Sequence, residues 1–73
     1  MTKDQTYMID YILSEIIQML IDKRQMTFQD ALDLLYSSQL FERLHDVSTG
    51  LYLQSPCYNY ESLEHELEFG KIA

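Results

Sequence analysis

A chain of 73 residues has room for one small domain, and chains this short usually need a disulfide, a metal or another subunit to hold their fold. Cys57 is the single cysteine, which excludes a disulfide within the chain, and it offers no zinc-site spacing with His45 or His65. The 47% hydrophobic content fits a folded domain rather than a disordered one, while the net charge of −7 sets the chain against polyanions.

The first predicted helix covers residues 4–24. Placed at helical steps, Met8, Ile9, Ile12, Leu13, Ile16, Ile17, Met19 and Leu20 spread over about half of its circumference. The opposite sector holds Asp10, Ser14, Glu15, Gln18 and Asp22, with Tyr7, Tyr11 and Ile21 among them. An apolar stripe a little over about 100° wide is enough for a helix covered by one layer. Two readings follow. Either the rest of the chain wraps this helix, or part of the face, formed by Ile9, Ile12, Leu13, Ile16, Ile17 and Leu20, is a protein interface. A membrane span is not expected. The most apolar run, 8–21, has 14 residues and includes Asp10 and Glu15, against the roughly 20 that a span requires. The start of the chain has no basic stretch leading into an unbroken apolar core, so no signal peptide is expected. With its lone cysteine, the chain is expected to be soluble and cytoplasmic.

A second helix is predicted to begin after Thr27, an N-cap residue with Asp30 in the first turn. Met26 and Ala31 can form a hydrophobic staple around that cap. Phe28, Ala31, Leu32, Leu35 and Tyr36 are expected to face inward, with Asp30, Asp33 and Ser37 outward. Ser37 and Ser38 break the run. Ser38 caps a short third helix, 39–45, with Leu40, Phe41 and Leu44 inward. Gly50 suits a residue of positive φ. Leu51, Tyr52 and Leu53 read as a short extended segment, and 51–54 can pair with 57–59 as a hairpin, lie as loop or add to a partner's sheet edge. Asn59 is the expected cap of a last helix, 60–69, with Tyr60, Leu63 and Leu67 inward, Glu61, Glu64, Glu66 and Glu68 outward, and Gly70 as its stop. The predicted fold is mainly α: one domain over 1–73, a small bundle of about four helices with a long N-terminal helix and a short extended segment or hairpin near 51–58.

The pair "DALDLLYSSQLFERL", 30–44, has the outline of a helix-turn-helix. Its second helix presents Gln39, Arg43 and His45, but with Glu42 among them. Residues 27–73 carry two bases, Arg43 and Lys71, against eight acids, which leaves that half at −6 and residues 1–26 at −1. Affinity for DNA rests largely on cations that neutralise phosphates. The two helices are therefore read as packing against the first, with no nucleic-acid partner expected. An acidic surface of this kind suits a basic protein instead.

Catalytic chemistry has little to work with. Cys57 with His45 or His65 could form a nucleophile and its base, yet a reactive thiolate needs positive surroundings and the neighbours are acids. Glu61 and His65 share a helix face and could touch a metal weakly, but a solvated charged helix explains them equally. His45 at a helix end favours the dipole. No serine lies in a nucleophile elbow, and two glycines do not make a phosphate loop. No catalytic residue, metal site, cofactor or small-molecule substrate is expected. The six tyrosines, at 7, 11, 36, 52, 58 and 60, carry more weight. Tyrosine suits surfaces with one apolar side and one wet side, which describes an interface and the rim of a small core alike.

The order of motifs is also informative. An apolar helix precedes "T-x-x-D-A-x-x-L-L" (Thr27, Asp30, Ala31, Leu34, Leu35). "S-x-L-F-x-x-L" (Ser38, Leu40, Phe41, Leu44), "T-G-x-Y" (Thr49, Gly50, Tyr52) and an acidic terminal helix follow. This resembles a family of short bacterial proteins of unknown function. Their genes often sit beside one for an ADP-ribosyltransferase-like protein, in an arrangement similar to toxin–antitoxin pairs. The resemblance covers most of the chain and implies no catalytic residue. The expected function is a non-catalytic acidic interaction module, antitoxin-like, that binds a larger basic protein through the apolar face of the first helix. The alternative is a homodimeric structural protein, associating through that same helix without an obligate partner.

Overall fold

The computed structural model describes residues 2–70. Four α-helices, α1 (Lys3–Arg24), α2 (Phe28–Tyr36), α3 (Gln39–His45) and α4 (Pro56–Phe69), follow one another, with two 3₁₀ turns, Val47–Thr49 and Leu51–Leu53, between α3 and α4. No strand occurs among the described residues. The expected helical bundle is what forms. The extended segment or hairpin near 51–58 is not.

Thr2 opens α1 with a capping box. Its hydroxyl accepts from the Gln5 N–H at 3.1 Å, and Gln5 Oε1 accepts from the Thr2 N–H at 2.9 Å. The helix ends where Gln25 turns to φ 57°, a left-handed conformation, and the Gln25 amide donates to the Asp22 carbonyl at 2.9 Å. Thr27 caps α2 and Ser38 caps α3, as their positions before each apolar run predict.

The core is one cluster. Ile9, Ile12, Leu13, Ile16 and Leu20 enter it from α1, Ala31 and Leu35 from α2, Leu40 and Leu44 from α3, and Tyr60 and Leu63 from α4. Helices α2 and α4 cover α1, and α3 packs on α4. Partly buried Ile17, Met19, Ile21, Met26 and Leu34 widen the apolar layer. Ile21, which helical geometry assigns to the polar sector, thus lies against the core because neighbours reach around α1. Phe28 and Tyr36 go the other way: both were expected inward, but they are more than half exposed. A nine-residue helix has one narrow inward stripe, and Ala31 and Leu35 fill it.

The segment after α3 departs most from expectation. Asp46 accepts from the Ser48 hydroxyl at 2.6 Å and the Ser48 N–H at 3.1 Å, which starts the first 3₁₀ turn. Those two bonds hold the Asp46 carboxyl below its ordinary range, the hydroxyl having the larger effect. Their contribution to folding is present above the unfolded carboxyl's pKa and is lost as pH falls through the lowered one. Gly50, at φ 70°, turns the chain into the second 3₁₀ turn, closed by Leu53 N–H to Gly50 O and Gln54 N–H to Leu51 O, both 3.0 Å. Helix α4 then begins at Pro56, four residues before the expected start. Ser55 is its cap, accepting from the Tyr58 N–H at 3.1 Å. Proline both needs an extended residue before it and fits the first helical position, so Ser-Pro is a helix start rather than a break. Asn59, expected as that cap, is instead fully buried; its amide donates to the Leu51 and Ser55 carbonyls at 3.1 Å each.

At the far end of α4, Leu67 is partly exposed rather than buried, and Glu66 turns toward α3 rather than only to solvent. Its carboxylate accepts from the Gln39 N–H at 2.8 Å and the Leu40 N–H at 3.2 Å. With Ser38 accepting from the Phe41 N–H at 3.2 Å, the first three N–H groups of α3 all have acceptors. Glu66→Ala is expected to lower stability by about 1 kcal/mol, the size of a lost helix cap. A lower urea midpoint at unchanged slope is the result to look for. An unaltered midpoint would mean that water serves those N–H groups as well.

Candidate interaction surface

The residues expected to meet a partner are placed as follows. Ile9, Ile12, Ile16 and Leu20 are at most 2% exposed and Leu13 is buried beside them. Ile17 is partly buried and packs against the same cluster. Helices α2 to α4 have taken up this face, so a partner could reach the five buried side chains only if the bundle opened.

The surface left over lies on the outer side of the same helix. Tyr7 is 75% exposed and Tyr11 is 52% exposed. They point outward because they fall opposite the Ile9–Ile16 stripe at about 100° per residue. The second 3₁₀ turn docks against α1, with the Tyr52 hydroxyl accepting from Gln5 Nε2 at 3.3 Å. Gln5 therefore serves the cap of α1 with one end of its amide and the turn with the other. A groove of about 190 Å³ runs between these elements. Tyr7, Met8 and Tyr11 form its α1 side, Tyr52, Leu53 and Pro56 the other, and buried Ile12 also lines it. Leu53 is 66% exposed.

The charges near the groove are mostly negative. Asp4, Met8, Tyr11 and Glu15 follow one stripe of α1, which sets a carboxylate at each end of the apolar pair. Asp10 lies one turn beyond Tyr7, and Lys3 one turn before it. Asp4 and Glu15 thus flank the Met8 and Tyr11 wall, while Asp10 and Lys3 fall beyond Tyr7 on the side turned away from Met8 and Ile12, in a chain with a net charge of −7.

Of the other exposed aromatics, Tyr36 and Phe69 join short rows of rings. Tyr36 stacks on Phe41 at 4.6 Å and Phe41 on His45 at 4.5 Å between ring centres. His45 also shares a hydrogen bond with the Phe41 carbonyl at 2.9 Å. On α4, His65 stacks on Phe69 at 4.5 Å. Cys57 is exposed in the first turn of α4. His65 lies eight residues further along that helix, roughly 12 Å by helical rise, too far for a nucleophile and its base. Among the described residues, no group of three or more His, Cys, Asp or Glu side chains is placed to hold a metal ion. No helix among them is long and apolar enough to cross a membrane.

The tyrosines divide by role. Tyr60 is core, with Lys23 Nζ 5.1 Å from the centre of its ring. Tyr52 is the half-buried hinge of the groove, while Tyr7 and Tyr11 are its outer wall. Sequence reasoning found the tyrosines but missed Met8, Leu53 and Pro56 as their companions. The nearest signal was the Ser55-Pro56 helix start, which requires Leu53 to stand just outside α4. No family model, curated protein or solved structure matches the chain.

Proposed function

We propose that this chain is a non-catalytic acidic interaction module that acts by binding a larger, basic protein, as an antitoxin-like neutraliser does. One observation carries the reading: an exposed groove of aromatic and apolar side chains on a chain of net charge −7. Exposed apolar surface gathered into a concave site marks a contact surface more often than a lone exposed residue does. The resemblance to small proteins encoded in toxin–antitoxin-like pairs supports the neutralising form of the role. Self-association is the weaker alternative, because two copies would bring together like charges of −7 each.

The test is affinity capture from the source organism with the tagged chain, run beside light scattering of the chain alone. The expected result is a monomer that captures one larger basic protein in fixed stoichiometry, with that protein's own activity lowered in the complex. A stable homodimer that captures nothing would overturn the proposal.

A further inference from the structure

We infer that the groove between α1 and residues 52–56 receives a basic amphipathic segment of the partner protein. One large apolar side chain of that segment fills the groove, and its flanking Lys or Arg side chains lie against Asp4 and Glu15. The inference rests on the interaction-module reading and adds the contact site and the chemistry of the occupant.

Size and charge select this occupant. Pockets for small molecules and cofactors usually hold about 300–1,000 Å³. At about 190 Å³ the groove is smaller than that and suits an anchor side chain. Its lining is almost wholly apolar, with Gln54 adding an amide. An apolar anchor is therefore what desolvates it. Beside it, Asp4 and Glu15 lie on the same stripe of α1 as Met8 and Tyr11, with no base on that stripe, which favours cations and sets the register of the docked segment. The same charges act against nucleic acid and anionic lipid surfaces, both of which present phosphates. They also act against a second copy of this chain, which would bring Asp4 and Glu15 with it.

The experiment is an NMR titration of the full chain with a short amphipathic peptide of Leu and Lys. Two counterparts serve as controls: one with every Lys replaced by Glu, and one with every Leu replaced by Ser. The expected result is that the Leu/Lys peptide shifts the amides of 4–15 and 52–55 and that neither counterpart does. Tyr7→Lys and Leu53→Lys should each weaken binding by about tenfold or more, as loss of a contact-centre residue does. Both positions are well exposed, so the variants keep the bundle, which an unchanged melting curve checks. Asp4→Asn and Glu15→Gln together should weaken binding at low salt and flatten its salt dependence.

Absence of peptide binding, or shifts centred on α3 or on the end of α4, would overturn the groove assignment. Equal binding of the Glu counterpart would overturn the basic occupant. So would concentration-dependent shifts at the groove without peptide, or shifts there with phosphatidylglycerol vesicles. If Tyr7→Lys and Leu53→Lys chains still capture the partner in full, the groove assignment fails while the interaction-module reading stands.

Discussion

Ile16→Lys is expected to unfold the chain rather than to release a partner from it. Ile16 is completely buried at the middle of the inward stripe of α1, between Ile12 and Leu20. A chain of this length is expected to have about 4–11 kcal/mol of total stability on per-residue averages. Truncation of such a side chain, as in Ile16→Ala, costs about 2–5 kcal/mol by itself. Lysine adds the desolvation of a charge for which that layer of Ile and Leu offers no acceptor. Far-UV circular dichroism in a urea series separates the outcomes. Loss of helix without denaturant, with Ile16→Ala folded but shifted to a lower midpoint, is the expected pair of results. A folded Ile16→Lys chain with an unchanged midpoint would mean that this face is an interface after all, and that the core described above is not what holds the bundle.

Asn59→Asp is expected to cost about 3–5 kcal/mol at neutral pH, the range for an uncompensated buried charge. The substitution changes almost no volume. It replaces the amide nitrogen, now 3.1 Å from both the Leu51 and the Ser55 carbonyl, with an oxygen that carries negative charge. The other side-chain oxygen of Asn59 has no hydrogen-bond donor among the described residues. Burial and the two facing carbonyl oxygens both disfavour the charge, so the carboxyl's pKa is raised in the fold. The sign of the pH dependence follows. A protonated carboxyl can donate to one of the two carbonyls, so the penalty shrinks as pH falls toward the raised pKa and is greatest above it. Urea midpoints of the variant and the parent at pH 5 and pH 7.5 check this. A gap that does not narrow at the lower pH would mean that the lost amide donor, rather than the buried charge, is what destabilises the variant.

Both positions also mark where the sequence was and was not legible. The Ile16 stripe could be read from periodicity, since 9, 12, 13, 16 and 20 recur at helical spacing. Whether the chain or a partner covered that stripe could not. That depends on how far α2 to α4 reach around α1, a tertiary property. The caps at Thr27 and Ser38 were legible because each precedes an apolar run. Thr2 and Gln5 have the same spacing as a capping box but stand among polar residues, so the start of α1 was placed slightly late. Asn59 looked like a cap because asparagine favours such positions. Ser55-Pro56 had already started the helix, and Asn59 was left to tie the helix to the preceding turn. Glu66 looked like one of four solvated acids. Nothing in its local sequence indicates that the start of α3, 26 residues earlier, would lie within its reach. The groove was illegible for the same reason. Its two walls are distant in sequence and meet only because Gly50 directs the second 3₁₀ turn onto α1.

The Glu66 contact also has a kinetic side. Helix α3 has seven residues, too few to persist alone in water, where isolated helices shorter than about 12–15 residues are marginal. Its first two N–H groups acquire their acceptor only when the last turns of α4 arrive. During synthesis, therefore, α3 is expected to settle late, since its N-terminal acceptor arrives only with residue 66. In the finished protein the Glu66 bonds tie α3 to the end of α4, so the amides of the two are expected to exchange together. A fault near the C-terminus would then show first as a loosened segment in the middle of the chain.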